Sequence, residues 1–184
     1  MLLQSRSGYA PIAICSPKSA PAVIKYGAVG TASYTSASCV EEVKALAEGF
    51  PIKRALDCIT NPESVSTCFR ALGRVGARYA CLEDCPEAWR ERPSVKVKVV
   101  MGFEGMGVDV DLGHPSYTRK NNPKLHSIGC EWATEMQSML DKGLLEPQKF
   151  REVKGGFEGV ITALEMLHRG DVKGEKLVVR LGST

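Results

Sequence analysis

Three apolar runs with little polar alternation form the framework of the chain. They are Ala10–Cys15, Arg54–Ile59 and Ala77–Leu82. Runs of this length and composition are typical of strands that are buried on both faces of a parallel sheet. Helical spacing of apolar residues, bounded by cap and turn residues, fills the intervals. The predicted helices are Ala20–Tyr26, Cys39–Ala47 with Ser38 as its cap, and Pro62–Leu72, and a weaker strand is predicted at Gly30–Tyr34.

The pattern changes after Leu82. Val95–Met101 alternates valine with lysine, which predicts an exposed or edge strand. The polar, glycine-containing stretch from Gly102 to Pro123 predicts a long loop, and loops of that length are often functional. Two amphipathic helices and a strand complete the chain, at about Ser127–Leu140, Phe157–Leu167 and Glu175–Leu181.

The alternation of strands and helices with short connections predicts an α/β fold of the Rossmann type, a doubly wound parallel sheet. Only Met1–Gly8 precede the first strand, and they suggest the end of a helix that stops at Gly8. They are too few for the first strand and the glycine-rich turn of such a fold. We therefore expect an incomplete sheet, in which the strands at 10–15 and 54–59 pair across a gap or leave an apolar edge exposed.

Composition and charge argue against several classes of function. The net charge of +3 is small and the Lys and Arg residues are scattered, which argues against a nucleic-acid partner. No apolar run is long enough for a membrane span and no signal-peptide pattern is present, so we expect a cytoplasmic protein without membrane contact. The seven cysteines lack zinc-ligand spacing, and we expect no metal. Cys15, Cys58 and Cys81 fall in or at the ends of predicted buried strands, where a free thiol behaves as a small hydrophobe.

The ends of the predicted strands carry the candidates for cofactor binding. Ser16 and Lys18 follow the first strand, and they suit the 2′-phosphate of NADP better than the bare ribose of NAD, which usually meets an Asp or Glu. Tyr34 follows the next strand and can lie against adenine. Alternatively, Ser16 caps a helix and the other two are surface residues. Two further core strands end at Asp57–Thr60 and at Leu82–Glu83, and these strand ends are expected to face the cofactor. Alternatively, Thr60 caps the helix that follows it.

The polar loop holds a second set of candidates. Its glycines, Gly102-x-x-Gly105-x-Gly107, have the wrong order of spacings for a dinucleotide fingerprint and predict a flexible loop that touches substrate. Asp109, Asp111 and His114 resemble a cluster for acid–base chemistry or a metal, with solvated loop residues as the alternative. The chain has no Gly-x-Ser-x-Gly elbow and no P-loop lysine, so hydrolase and kinase functions have no support.

Several motifs, taken in order, resemble one family. They are Gly8–Lys18 (GYAPIAICSPK), Ala55–Ser64 (ALDCITNPES), Gly155–Val160 (GGFEGV) and Gly174–Leu181 (GEKLVVRL). The combination looks like the trans-acting enoyl reductases of fungal polyketide synthases and synthase–peptide synthetase hybrids, which are zinc-independent medium-chain dehydrogenase/reductases. The resemblance covers nearly all of the chain. It implies an NADPH-dependent oxidoreductase of secondary metabolism that reduces the α,β-double bond of an acyl chain held on a synthase carrier domain, with hydride going to the β-carbon and a proton to the α-carbon.

The resemblance also implies roles for individual residues, although it assigns no catalytic residue. The family's 2′-phosphate and adenosine site matches Ser16, Pro17, Lys18, Ser19 and Tyr34. Further NADP contacts match Leu82 and Glu83 at a strand end and Val178 and Val179 in the last strand. The loop that lines the acyl pocket matches Phe103, Glu104, Gly105, Met106 and Gly107.

The chain departs from the family pattern at its start. Family members carry a GroES-like domain and then a strand with a Gly-Gly-Ser/Thr-type turn, and the chain has neither. The resemblance therefore implies an N-terminally truncated, partial NADP-binding domain over residues 1–184, with a substrate-loop excursion at about 93–125. We expect a monomer whose partner is a polyketide synthase or a synthase–peptide synthetase hybrid. The isolated chain is expected to bind NADPH weakly and to show little turnover. Two other functions stay open, a non-catalytic interaction module and an NADPH-dependent quinone or alkenal reductase.

Overall fold

The computed structural model of the chain describes residues 7–145 and 147–182, and these divide into two compact units between Thr134 and Glu135. In chain order the first unit contains β1 (Ile12–Cys15), α1 (Ala20–Lys25), β2 (Gly30–Ser33), α2 (Cys39–Leu46), β3 (Arg54–Asp57), α3 (Pro62–Ala71), β4 (Arg78–Cys81) and β5 (Lys96–Val99). Helix α4 (Pro123–Asp141) crosses into the second unit, which continues with β6 (Phe150–Val153), α5 (Gly156–His168) and β7 (Lys176–Val179).

Every pairing between these strands is parallel. β1 pairs with β2, β4 lies between β3 and β5, and β6 pairs with β7. The predicted α/β fold with parallel sheets is therefore confirmed. The valine–lysine alternation at 95–101 forms β5, an edge strand of the three-stranded sheet, as predicted.

β1 and β3 belong to separate sheets, so the strands at 10–15 and 54–59 do not pair. The expected exposure of apolar surface follows: Leu56 on β3 is 54% exposed and Ile59, just beyond the strand, is 68% exposed. Helices connect the two sheets instead. Val40 and Val43 of α2 lie in one buried cluster with Ala71 of α3, and isoleucines of β1 pack against that cluster.

The main core of the first unit lies between α3 and the three-stranded sheet. Asn61 and Ser64 form a reciprocal capping box at the start of α3, with Pro62 at its first turn, so Asn61 rather than Thr60 caps this helix. Val65 and Phe69 then face inward and are fully buried, and the Phe69 ring lies 5.3 Å from the ring of Tyr79 on β4. Burial of these side chains fixes α3 against the sheet.

Other differences from the sequence predictions are local. Helix α4 begins at Pro123 rather than Ser127. The Asn122 side chain caps the helix there, because it accepts hydrogen bonds from the backbone amides of Lys124 and Leu125. Strand β6, a short polar segment, was not predicted. Cys58 is exposed rather than buried, because β3 ends one residue before it. Of the helix end predicted at Met1–Ser7, all but Ser7 lies outside the described residues.

Candidate functional site

The loop after β1 lies at the same sheet edge as the end of β2. Cys15 pairs with Ser33, which places Ser16 and Tyr34 at neighbouring strand ends. Within the loop the Ser16 and Ser19 hydroxyls lie 2.9 Å apart, and the Ser19 amide donates to the Ser16 carbonyl over 2.9 Å. Helix α1 begins after Ser19, whose own side chain makes no capping bond, while the Ser16 hydroxyl accepts from the Ser19 amide over 3.3 Å. The alternative in which Ser16 caps the turn into this helix therefore stays open.

The charge around this loop is positive. Lys18 is exposed, and among the described residues it has no salt-bridge partner. The first 40 residues of the chain contain no Asp or Glu. Tyr34, which directly follows the strand paired with β1, is 64% exposed. A lysine, two hydroxyls and an aromatic ring suit the phosphate and adenine of NADP. The Glu42 carboxylate lies near the end of β2, where it accepts hydrogen bonds from the Ser36 and Ser38 hydroxyls, both over 2.7 Å.

The end of β4 is already bonded to the polar loop. Leu82 and Glu83 are both exposed, and the Tyr117 hydroxyl donates to the Glu83 carboxylate over 2.9 Å. The Asp84 amide donates to that same hydroxyl over 3.2 Å, and the Ser116 hydroxyl donates to the Asp84 carboxylate over 2.6 Å. Sequence reasoning missed Tyr117 and Ser116, because no local pattern links them to a strand more than 30 residues earlier.

The predicted substrate loop forms a 3-10 turn, Gly102–Met106, that Glu104 anchors. The Glu104 carboxylate accepts hydrogen bonds from Lys98 over 3.0 Å and from Arg119 over 3.2 Å, and from the Met101 amide over 3.3 Å. Burial by itself raises the pKa of Glu104, but these donors outweigh it and hold the pKa below its ordinary value. Glu104 is therefore an ionised, mostly buried side chain that pairs with Lys98 and Arg119. The Met106 side chain, in contrast, is 65% exposed.

A second anchor joins this turn to α4. The His126 ring donates from Nδ1 to the Gly105 carbonyl over 2.9 Å. The backbones of Gly105 and Gly129 approach so closely that a Cβ on Gly129 would lie 3.0 Å from the Gly105 carbonyl oxygen. A glycine is needed at position 129, because a side chain there would push the turn away from the helix.

The acidic residues of the loop bind its own backbone and side chains. Asp109 accepts from Lys120 over 2.8 Å and from the Asn121 amide over 2.7 Å. Asp111 accepts from the Gly113 amide and the Thr118 hydroxyl, both over 2.9 Å. No group of three side chains able to hold a metal ion occurs among the described residues. The hypothesis of an acid–base or metal cluster at Asp109, Asp111 and His114 therefore gains no support.

Asp57, at the end of β3, faces the interior. Its buried carboxylate accepts from the amides of Ile59 and Thr60 and from the hydroxyls of Ser64 and Tyr79, over 2.7 to 3.0 Å. Burial by itself raises the pKa of Asp57, but the four hydrogen bonds keep it below its ordinary value. The expectation that Asp57 faces a cofactor is not supported by this geometry, because its two oxygens already accept from the turn into α3 and from Tyr79 on β4.

Val178 and Val179 belong to the second unit. They lie in β7, opposite Glu152 and Val153 of β6, and Val178 is 45% exposed. Their assignment to the cofactor site stays a prediction. No helix among the described residues is both long and apolar enough to cross a membrane.

Comparison by sequence gives a clear set of relatives. No protein-family model matches the chain. The chain is 59% identical over 175 residues to the trans-enoyl reductase sthE of Phaeosphaeria nodorum, an alignment that covers 95% of this chain and 48% of that protein. The chain spans about half the length of the curated relatives it matches.

Comparison by structure gives an enoyl reductase and a protein solved with NADP among the matches. The JamJ enoyl reductase in its apo form superposes with a TM-score of 0.67 at 15% identity, over 97% of this chain and 50% of that one. A mutant of Etr1p solved with NADP and crotonyl-CoA superposes with a TM-score of 0.59 at 14% identity, over 86% of this chain and 44% of that one. At these identities the likeness shows a shared Rossmann-type α/β fold.

Proposed function

The chain belongs to the family of the fungal trans-enoyl reductases, about half of whose length it spans, and we propose that it contributes the NADPH site of such an enzyme. The proposed reaction is reduction, in trans, of an α,β-unsaturated acyl chain on the carrier domain of a polyketide synthase or synthase–peptide synthetase hybrid. The observation that carries the proposal is the 59% identity over 95% of the chain.

The adenosine end of the cofactor is assigned to the first strand ends. The Lys18 ammonium and the hydroxyls of Ser16 and Ser19 would hold the 2′-phosphate, with Pro17 shaping the turn, and Tyr34 would lie against adenine. When bound, NADPH supplies the hydride that the reaction needs. Selectivity for NADPH over NADH is supported by the exposed Lys18, and the Glu42 carboxylate near β2 is already bonded to the Ser36 and Ser38 hydroxyls.

The reacting end is assigned to other residues. Phe103, Gly105, Met106 and Gly107 would line the acyl chain, with Glu104 holding their turn in place through Lys98 and Arg119. Leu82, Glu83, Val178 and Val179 would contact the cofactor. Since Glu83 already accepts from Tyr117, a cofactor contact by Glu83 would couple the cofactor to the polar loop.

Fragment binding tests the cofactor assignment. We expect the chain to bind adenosine 2′,5′-bisphosphate at least about tenfold more tightly than adenosine 5′-monophosphate in a calorimetric titration, because a charge-assisted contact to the extra phosphate contributes roughly 1.5–3 kcal/mol. Lys18→Ala is expected to remove most of that preference. Lys44→Ala, which removes an exposed lysine on α2, is the matched control and is expected to leave it unchanged. Equal affinity of the wild-type chain for both nucleotides would contradict the assignment.

Turnover is tested on the natural protein that contains this sequence. With NADPH and a carrier-bound enoyl thioester, we expect NADPH consumption and a saturated thioester detected by mass spectrometry. NADPH consumption with free quinones or alkenals, but not with the carrier-bound substrate, would instead identify a reductase that needs no synthase.

A further inference from the structure

A cysteine and a histidine lie side by side on an exposed face of α4. Cys130 and His126 are one helical turn apart, and the Cys130 Sγ lies 3.7 Å from the His126 Nε2, within hydrogen-bond reach for sulfur. Both side chains are exposed. His126 also anchors the turn that would line the acyl chain, but the proposed reduction assigns no chemical step to either side chain.

The histidine is held in the tautomer that a base requires. Its Nδ1 lies 2.9 Å from the Gly105 carbonyl, and a carbonyl oxygen only accepts, so Nδ1 carries the hydrogen. In the neutral ring Nε2 then has its lone pair free, and that atom faces the thiol. The ring also lies directly on the backbone of Gly107, where a Cβ would be 2.8 Å from it, so its orientation is fixed by the loop.

This arrangement has the geometry of an activated thiol, in which a nucleophile contacts a base that a third group orients. The other cysteines differ. Burial raises the pKa of Cys68 to about 12 and that of Cys81 to about 11, which keeps both thiols protonated. Cys58 is exposed like Cys130, but no histidine is bonded to it among the described residues.

We propose that Cys130 is a modification site for soft carbon electrophiles of the α,β-unsaturated carbonyl class, with His126 as its general base. The His126 Nε2 takes the thiol proton while the sulfur bonds to the β-carbon and the π electrons move toward the carbonyl. The proton then returns to the α-carbon, which leaves a thioether and a neutral imidazole. No oxidant, leaving group or nucleotide takes part, so the addition does not require the proposed reduction to occur.

The test is a timed reaction of the whole chain with N-ethylmaleimide, an electrophile of this class, followed by peptide mass mapping. We expect Cys130 to be modified about tenfold or more faster than Cys58, since base assistance contributes at least that much to a proton-coupled addition. Cys58 is the matched control because it is exposed in the same chain and reports the intrinsic reactivity of the reagent.

A variant separates the base from the packing of the helix. In His126→Asn an amide near the former Nδ1 position keeps a donor for the Gly105 carbonyl, but no base faces the thiol. We expect the Cys130 rate to fall to that of Cys58, with the Cys58 rate unchanged. His126→Gln repeats the test with another shape, and continued protection of buried Cys85 reports that either variant is folded. Equal rates at Cys130 and Cys58 in the wild-type chain, or an unchanged Cys130 rate in the folded variants, would overturn the proposal.

Discussion

Tyr79 on β4 donates its phenolic hydroxyl to the carboxylate of Asp57 on the neighbouring strand β3 over 2.9 Å. Asp57 pairs with Cys81 in the parallel register, so Tyr79 reaches it along the diagonal. Both residues are buried, at 1% and 5% exposure. The contact therefore ties the turn before α3 to the centre of the sheet.

Tyr79→Phe is expected to lower the free energy of unfolding by about 1.5–3 kcal/mol, the usual contribution of a hydrogen bond to a charged group. The ring stays in place against Phe69, so the loss reflects the hydroxyl alone. Urea denaturation measures it. Tyr9→Phe, at a tyrosine that is 50% exposed, is the matched control and is expected to change stability by less than about 0.5 kcal/mol. Equal effects of the two substitutions would contradict this account.

The ionisation of Asp57 predicts a pH dependence of stability. Its pKa is lower in the folded chain than the unfolded value of about 3.9. The carboxylate therefore contributes stability that is present above about pH 4 and is lost as the pH falls through the folded-state pKa. Asp57→Asn is expected to be destabilised at neutral pH, with a deficit that shrinks below about pH 4. Urea titrations over a pH series measure this, and Glu91→Gln, at an exposed carboxylate, is expected to follow the wild-type curve.

Arg92 closes the C-terminal end of α3. Its guanidinium donates to the carbonyls of Phe69, of Leu72 over 3.0 Å and of Gly73 over 3.4 Å, which lack helical partners. Arg92→Lys keeps the charge but cannot span these oxygens, and we expect a loss of about 1–2 kcal/mol in the free energy of unfolding by urea denaturation. Arg74→Lys, at an exposed arginine nearby, is the control. A loss no larger than that of Arg74→Lys would show that the charge alone suffices.

Gly129→Ala is expected to loosen the substrate loop. A Cβ there would lie 3.0 Å from the carbonyl oxygen and 3.1 Å from the Cα of Gly105, and both are backbone atoms that cannot rotate away. The helix gains about 1 kcal/mol of propensity from the change, so global stability is a poor readout. Amide hydrogen exchange over Gly102–Met106 is the measurement, and we expect it to become faster.

Gly105→Ala is the matched control for that substitution, because its Cβ would lie 3.6 Å from the Gly129 Cα, an ordinary contact. It is expected to leave exchange in the turn close to that of the wild-type chain. Protection unchanged in Gly129→Ala would mean that the turn does not depend on close approach to α4.

The elements that formed as predicted are those with a strong local signal. The apolar runs became β1, β3 and β4, and the segment from Asn61 onward became α3, because cap residues and helical spacing act within a few residues. The environment of individual positions is harder to predict from the sequence. The apolar run predicts that Cys58 is buried, but Cys58 is exposed. Thr60 is a possible helix cap by sequence, but Asn61 caps α3. Strand β6 has no apolar pattern and depends on pairing with β7.

The sequence by itself determined the parallel α/β fold, the family and the position of the Ser16–Lys18 loop beside Tyr34, because strand ends and motifs are local features that parallel pairing brings to one edge. Only the tertiary structure decided what the polar side chains do. It turned Asp57 inward onto Tyr79, joined Glu83 to Tyr117 and placed His126 between Gly105 and Cys130. Most of these contacts join residues about 20 to 34 positions apart, so they depend on how whole elements pack and not on any nearby pattern.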